Sequence, residues 1–207
     1  MSETVLDYTV PATETQLEEL AERLRERNFD VVVVDTPDQA RAAALARIPR
    51  GAEVHSGKSK TLEDAGILQA LMESGDYDFV RNRLKGMDRQ AMREAMRRMG
   101  AAPEYMLGSV HAITEAGQLV AASGSGSQLG PYATGAAQVI LVVGSQKVVP
   151  DLDAALARIR DHVQPYEDAR LREQMGVGTM LARVLILERE WAPGRTTIIL
   201  VREPVGV

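Results

Sequence analysis

Apolar residues recur at two spacings along the chain, and the alternation between them sets the expected fold. From Thr15 to Arg27 the apolar positions Leu17, Leu20, Ala21 and Leu24 share one face of a 3.6-residue period, with Glu and Arg elsewhere, which predicts an amphipathic helix that Asn28 ends. Val31 to Val34 follow as an unbroken β-branched run, the pattern of a buried strand in a parallel sheet. Pro37 opens an alanine-rich helix over Asp38 to Ala46, stopped by Pro49-Arg50-Gly51, and Ala52 to His55 reads as a second strand.

The alternation continues. After the loop Ser56 to Lys60, Thr61 and Asp64 have the spacing of a capping box and predict a helix to about Glu73. Tyr77 to Val80 reads as a short strand, and Asp88 to Met99 as an amphipathic helix whose methionines fill core space. Met106 to His111 and Gln118 to Ala122 predict strands around the turn Thr114 to Gly117, and Gln138 to Val143 is the clearest strand of all. Pro150-Asp151 starts a helix running to about Val163, where Pro165 marks its end or a restart. Leu181 to Arg189 and Arg195 to Arg202, joined by Trp191-Ala192-Pro193-Gly194, predict a C-terminal β-hairpin. Strands alternating with helices, without repeats or low-complexity linkers, describe a single α/β domain over residues 1–207 with function in the loops that follow the strands.

Composition removes several classes of chemistry. The absence of cysteine excludes disulfides, thiolate nucleophiles, iron–sulfur ligation and the usual structural zinc sites, and the three histidines are too far apart in sequence to suggest a metal, so neither a metal nor a cofactor is expected. The apolar runs Val31 to Val34 and Val139 to Val143 are far below the ~20 residues of a membrane span. Met1 to Thr4 lack the basic start of a signal peptide, so a cytoplasmic location is expected. A net charge of −5 argues against a generic grip on nucleic acid. The basic concentration of Arg81, Arg83, Lys85, Arg89, Arg93, Arg97 and Arg98 has no interleaved aromatics and reads as a solvated helix face.

The strongest local signal is Ser56-Gly57-Lys58-Ser59-Lys60-Thr61, which joins a strand to a helix start. Unpaired backbone N–H groups there, with two lysines and three hydroxyls, suit a phosphate or carboxylate. Gly57-Lys58-Ser59 does not complete a nucleotide-binding P-loop, because Ala52 stands where that pattern needs glycine. Gly124-Ser125-Gly126-Ser127 forms a second donor-rich loop. Glu115, in the turn after a strand, is the candidate general base or nucleophile, with His111 beside it, and Lys147 follows the clearest strand closely enough to reach the same place. His55 precedes the first loop and His162 lies in a surface helix.

Read in order, Lys58-Ser59-Lys60-Thr61-Leu62-Glu63-Asp64-Ala65-Gly66, then His111 to Val120, Val139 to Val149 and Gly194 to Val201 resemble the LUD family, the lactate-utilisation proteins of the LutC and YkgG type. The resemblance covers about residues 14–207. It implies a three-layer sandwich like the NagB, RpiA and CoA transferase folds, with a largely parallel sheet, an N-terminal helical segment and a pocket at the loop ends of the sheet. It also implies a role accessory to oxidation of lactate to pyruvate, with other lactate-utilisation subunits or a second copy as partners. Many relatives carry asparagine where His111 stands and Asp-Gly-x-Gly-Asn-Arg where Ser123 to Gln128 stand, so Gln128 replaces an arginine suited to a planar carboxylate. Many also carry a cysteine cluster near Arg172 to Arg183, which this chain lacks, so iron–sulfur binding is not carried over.

The expected function is binding of a small anionic metabolite between Ser56 to Thr61, Thr114 to Gly117, Gly124 to Ser127 and Lys147. The alternatives are a non-catalytic interaction subunit whose site has decayed, and an isomerase or CoA-transferase-like enzyme.

Overall fold

The strands divide between two sheets. The computed structural model describes residues 7–207. Its larger sheet holds six parallel strands in the spatial order β1 (Asp30–Val34), β10 (Thr196–Val201), β7 (Gln138–Gly144), β4 (Tyr105–Gly108), β2 (Glu53–Ser56) and β3 (Asp78–Phe79). The smaller sheet has the order β8 (Val148–Val149), β5 (Ala112–Thr114), β6 (Leu119–Ser123) and β9 (Arg183–Leu187).

Side-chain alternation along the central strands explains the layers. On β7, Ile140 and Val142 face helices α2 (Pro37–Leu45), α3 (Lys60–Asp64) and α4 (Ile67–Glu73), which contribute Ala40, Leu62 and Leu71 to that core. The alternate residues Val139, Leu141 and Val143 face α1 (Glu14–Glu26) and the inner side of the small sheet, meeting Leu20, Leu24, Ile113 and Leu119. On the outer side of the small sheet, Val120 and Val149 pack on Ala155 of α7 (Leu152–Arg158). The architecture is therefore an α/β sandwich built on a largely parallel sheet, with the N-terminal helix docked against it.

Local chemistry starts the helices. Thr13 and Gln16 form a reciprocal capping box for α1, and Thr36 with Gln39 does the same for α2. Asn28 closes α1 at φ 63°, a left-handed conformation that asparagine tolerates. The helix expected over 61–73 differs in two ways. Its cap is Ser59, whose Oγ accepts from the Leu62 N–H, while Thr61 is buried and used elsewhere. The helix also breaks at Gly66, where φ is 68°, giving α3 and α4. After α7, a π-helical turn over Ile159–Val163 leads into α8 (Gln164–Met175), so Pro165 marks a restart.

The expected C-terminal hairpin does not form. The segments either side of Trp191 to Gly194 enter different sheets: β9 pairs antiparallel with β6, and β10 inserts in parallel between β1 and β7. The cause is burial. All six residues of β10 are buried, which requires neighbours on both edges and cover on both faces, whereas β9 is an edge strand that leaves Val184 and Ile186 exposed. The apolar run of β1 likewise occupies an edge and is only partly buried. No helix among the described residues is long and apolar enough to cross a membrane.

Candidate functional site

Strands β2, β4 and β7 are neighbours at the middle of the parallel sheet, with Ser56 level with Leu107 and Gly108 level with Leu141. Their C-terminal ends therefore deliver the segments 56–61, 109–111 and 145–147 to one mouth, the usual position of a site in an open α/β sheet. A cleft of about 400 Å³ opens there, a size suited to a small metabolite.

Lys147 forms the floor. It ends the 3₁₀ turn Ser145–Lys147 that follows β7, and only 3% of it is exposed. Its Nζ donates to Thr61 Oγ1 (2.7 Å), Ser109 Oγ (3.0 Å) and the Val110 carbonyl (3.3 Å). No carboxylate is among these partners. Burial, with the nearby positive charge of Arg158, pushes the ammonium down to about 7. Thr61 is thus committed to holding Lys147, which explains why it does not cap α3.

Other cations reach the same cleft. Arg81, at the start of α5 (Val80–Arg83), lines it and makes no ion pair or side-chain hydrogen bond among the described residues; desolvation lowers its pKa. Lys58 also lines it, with Nζ 3.3 Å from the Met175 sulfur. Lys60 is different: Asp64, one helical turn on, takes its ammonium in an ion pair. Among the described residues lining the cleft the one acidic side chain is Glu167, and Arg170 engages both of its oxygens at 2.6 and 2.8 Å. Lys58, Arg81 and Lys147 therefore face the cavity without an ion pair to an acidic side chain among the described residues.

Polar groups without partners point the same way. His55 Nδ1 and Ser56 Oγ are buried in the cleft wall and have no hydrogen-bond partner among the described residues. Such groups cost stability unless something pairs with them. Behind the wall, the Arg158 side chain is fully buried; it donates to the His111 carbonyl at 2.6 Å and lies 5.9 Å over the Tyr8 ring, while its Nε and second Nη have no partner.

The structure brings together Ser56, Gly57, Lys58, Ser59, Lys60, Thr61, His111, Gly124, Ser125, Ser127 and Lys147 around this cleft. Two expected members fall elsewhere. Gly126 turns away at φ 81° against Arg183 and shapes its loop without lining the cleft. Glu115 lies on a separate concavity with Arg23, Arg27 and Pro150, where Arg23 donates to its carbonyl at 2.9 Å and the Gln16 amide approaches its carboxylate at 3.5 Å. The reason is that β5 belongs to the small sheet and is held to β8, so the turn 114–117 leaves on the α1 side. Glu115 therefore does not share a site with Lys147.

His111 lies in the cleft, apart from Glu115, the expected base or nucleophile beside which the sequence places it. Its Nδ1 accepts the Ala122 N–H at 3.0 Å, which fixes the hydrogen on Nε2, and burial together with Lys147 and Arg158 pushes its pKa down to about 3. It is a neutral donor. The anion-binding logic of the first loop also changes, because α3 spans five residues and Ser59 already takes one of its first amides. The positive charge at the cleft is carried by side chains and not by a helix end.

Arg81 was hidden in a run of basic residues that otherwise divides as a solvated surface does: Arg83 pairs with Glu53 and Asp78, Arg98 with Glu94, and Arg93 and Arg97 line a separate concavity. The available signal was its place two residues after a strand, the same rule that selects the other loops. Ser109 and Tyr132 were also missed. Gly108 makes room for Tyr132, since a Cβ there would lie 1.6 Å from the phenol oxygen.

Comparison with known proteins bears on the family and the fold. The model of the family described as LUD domain matches residues 17–201. A solved structure, a DUF162 family protein from Deinococcus radiodurans, is similar with a TM-score of 0.52 at 14% identity, over 92% of this chain and 99% of that one, a likeness of fold alone. No curated protein matches. A family match spanning nearly the whole described fold places the chain in the LUD domain family.

Proposed function

We propose that the cleft binds a small metabolite carrying a carboxylate or phosphate, and that the protein serves the oxidation of lactate to pyruvate in an accessory role. The observation that carries this reading is the convergence of Lys58, Arg81 and Lys147 on one cavity whose single lining acidic side chain is already engaged by Arg170. Lys147 is buried without an acidic hydrogen-bond partner, a costly arrangement for its ammonium form that an anionic ligand would relieve while meeting the unpartnered His55 and Ser56. Ser125, Ser127 and the Nε2 hydrogen of His111 would orient the ligand. Acyl transfer through a glutamyl intermediate is not supported, because Glu115 opens on another face.

Equilibrium titration with lactate, pyruvate, a sugar phosphate and an acyl-CoA tests the proposal. At least one should bind, with an affinity that weakens in Lys58→Ala and with added salt, and that is unchanged in Glu115→Gln. Failure of all four to bind would rule the reading out.

A further inference from the structure

Four lysines occur in the sequence, and their surroundings differ in kind. Lys58 and Lys85 are exposed, and Lys60 is held as a cation by Asp64. Lys147 is buried and held by two hydroxyls and one carbonyl. The difference is chemical. A carboxylate fixes a lysine as ammonium, whereas a hydroxyl can reverse its hydrogen bond and donate to an amine lone pair. If Lys147 gives up a proton, Thr61 or Ser109 can turn its O–H towards the nitrogen and leave no group unsatisfied. A neutral amine is thus accommodated in a walled cleft beside cations able to hold an anionic ligand.

We infer that Lys147 is a nucleophile whose ε-amine forms an imine with the carbonyl carbon of an aldehyde or ketone bearing a carboxylate or phosphate. This rests on the anion-binding reading above and names the ligand's second functional group. The amine lone pair attacks the carbonyl carbon as the C=O π pair moves to oxygen, and transfer of a proton from nitrogen to that oxygen gives a carbinolamine. The carbinol C–O bond then breaks and the oxygen leaves as water. The Thr61 or Ser109 hydroxyl protonates it and is restored by the proton remaining on nitrogen. Amine and carbonyl become imine and water, with no change of oxidation state. The depressed basicity of Lys147 makes the reactive form available near neutral pH, as in other buried lysines that form Schiff bases.

The test is reductive trapping on the full chain. The protein is incubated with glyoxylate, or with glyceraldehyde 3-phosphate, in the presence of sodium cyanoborohydride, and the adduct is located by peptide mapping. A single adduct on Lys147 is expected, lost in Lys147→Arg, whereas urea-unfolded protein should label all four lysines alike. The native-protein map decides the matter even if Lys147→Arg fails to fold. In parallel, sulfate and lactate, which have no reactive carbonyl, are titrated. Binding of either without a Lys147 adduct would overturn the imine and leave anion binding standing; neither binding nor adduct would overturn both.

Discussion

Raising the pH from about 7 to about 9.5 should stabilise the folded chain against urea, by a term on the order of 3 kcal/mol that disappears in Lys147→Met. Burial lowers the Lys147 ammonium to about 7 from its ordinary 10.5. Between those values the unfolded chain carries a proton that the folded chain does not, so unfolding takes up protons and becomes harder as pH rises. The penalty for the buried charge is absent above the unfolded value, grows as pH falls through this window, and is complete below the folded one. Other shifted groups act mainly outside this window; Arg158, lowered by burial to about 10, adds to the rise only towards its upper edge. His55, His111 and His162 all have lowered pKa values, so their contributions are finished by about pH 7. Tyr132, whose buried phenol is pushed up, opposes the trend only above its ordinary 10.0. Urea midpoints of the two proteins across the range provide the check. A parallel rise in both would assign the effect to other groups.

Arg81→Ala should weaken sulfate binding roughly ten- to a hundredfold, the value of one charge-assisted hydrogen bond, while Arg83→Ala should leave it nearly unchanged. Both residues sit on the same short helix and carry the same formal charge, so bulk electrostatics cannot separate them. Their partners can. Arg83 is neutralised by Glu53 and Asp78, whereas Arg81 faces the cleft without an ion pair to an acidic side chain among the described residues. Calorimetric titration at fixed ionic strength distinguishes them, and equal losses in the two variants would mean that the anion responds to the general field of the surface.

Where the sequence was readable, the reason was local. The spacing of Leu17, Leu20, Ala21 and Leu24 specified α1, the apolar run 139–143 specified β7, and the rule that loops follow strands led to Ser56 to Thr61 and to Lys147. Where it was not, the determinant lay far away in the chain. Trp191 to Gly194 is a plausible hairpin turn, and only the complete burial of β10 between β1 and β7 shows that the two arms part. Glu115 follows a strand as Lys147 does, but its strand belongs to the second sheet, which local pattern does not reveal. Lys60 carried a readable warning, since Asp64 stands four residues on where a helix brings the two together. A charge count does not separate Arg81 from its basic neighbours, whereas the structure pairs Arg83 with Glu53 and Arg98 with Glu94 and leaves Arg81 lining the cleft.

The central claim is that an anion enters the cleft beside Lys147, and proton uptake tests it most directly. Sulfate, which does not titrate near neutrality, is bound calorimetrically at about pH 7 in two buffers of different ionisation enthalpy. An anion next to Lys147 stabilises its ammonium form, so binding should draw protons from the buffer, and the observed enthalpy should differ between buffers in the wild type but not in Lys147→Met. Sulfate that binds both proteins equally, with an enthalpy indifferent to buffer, would contradict the account.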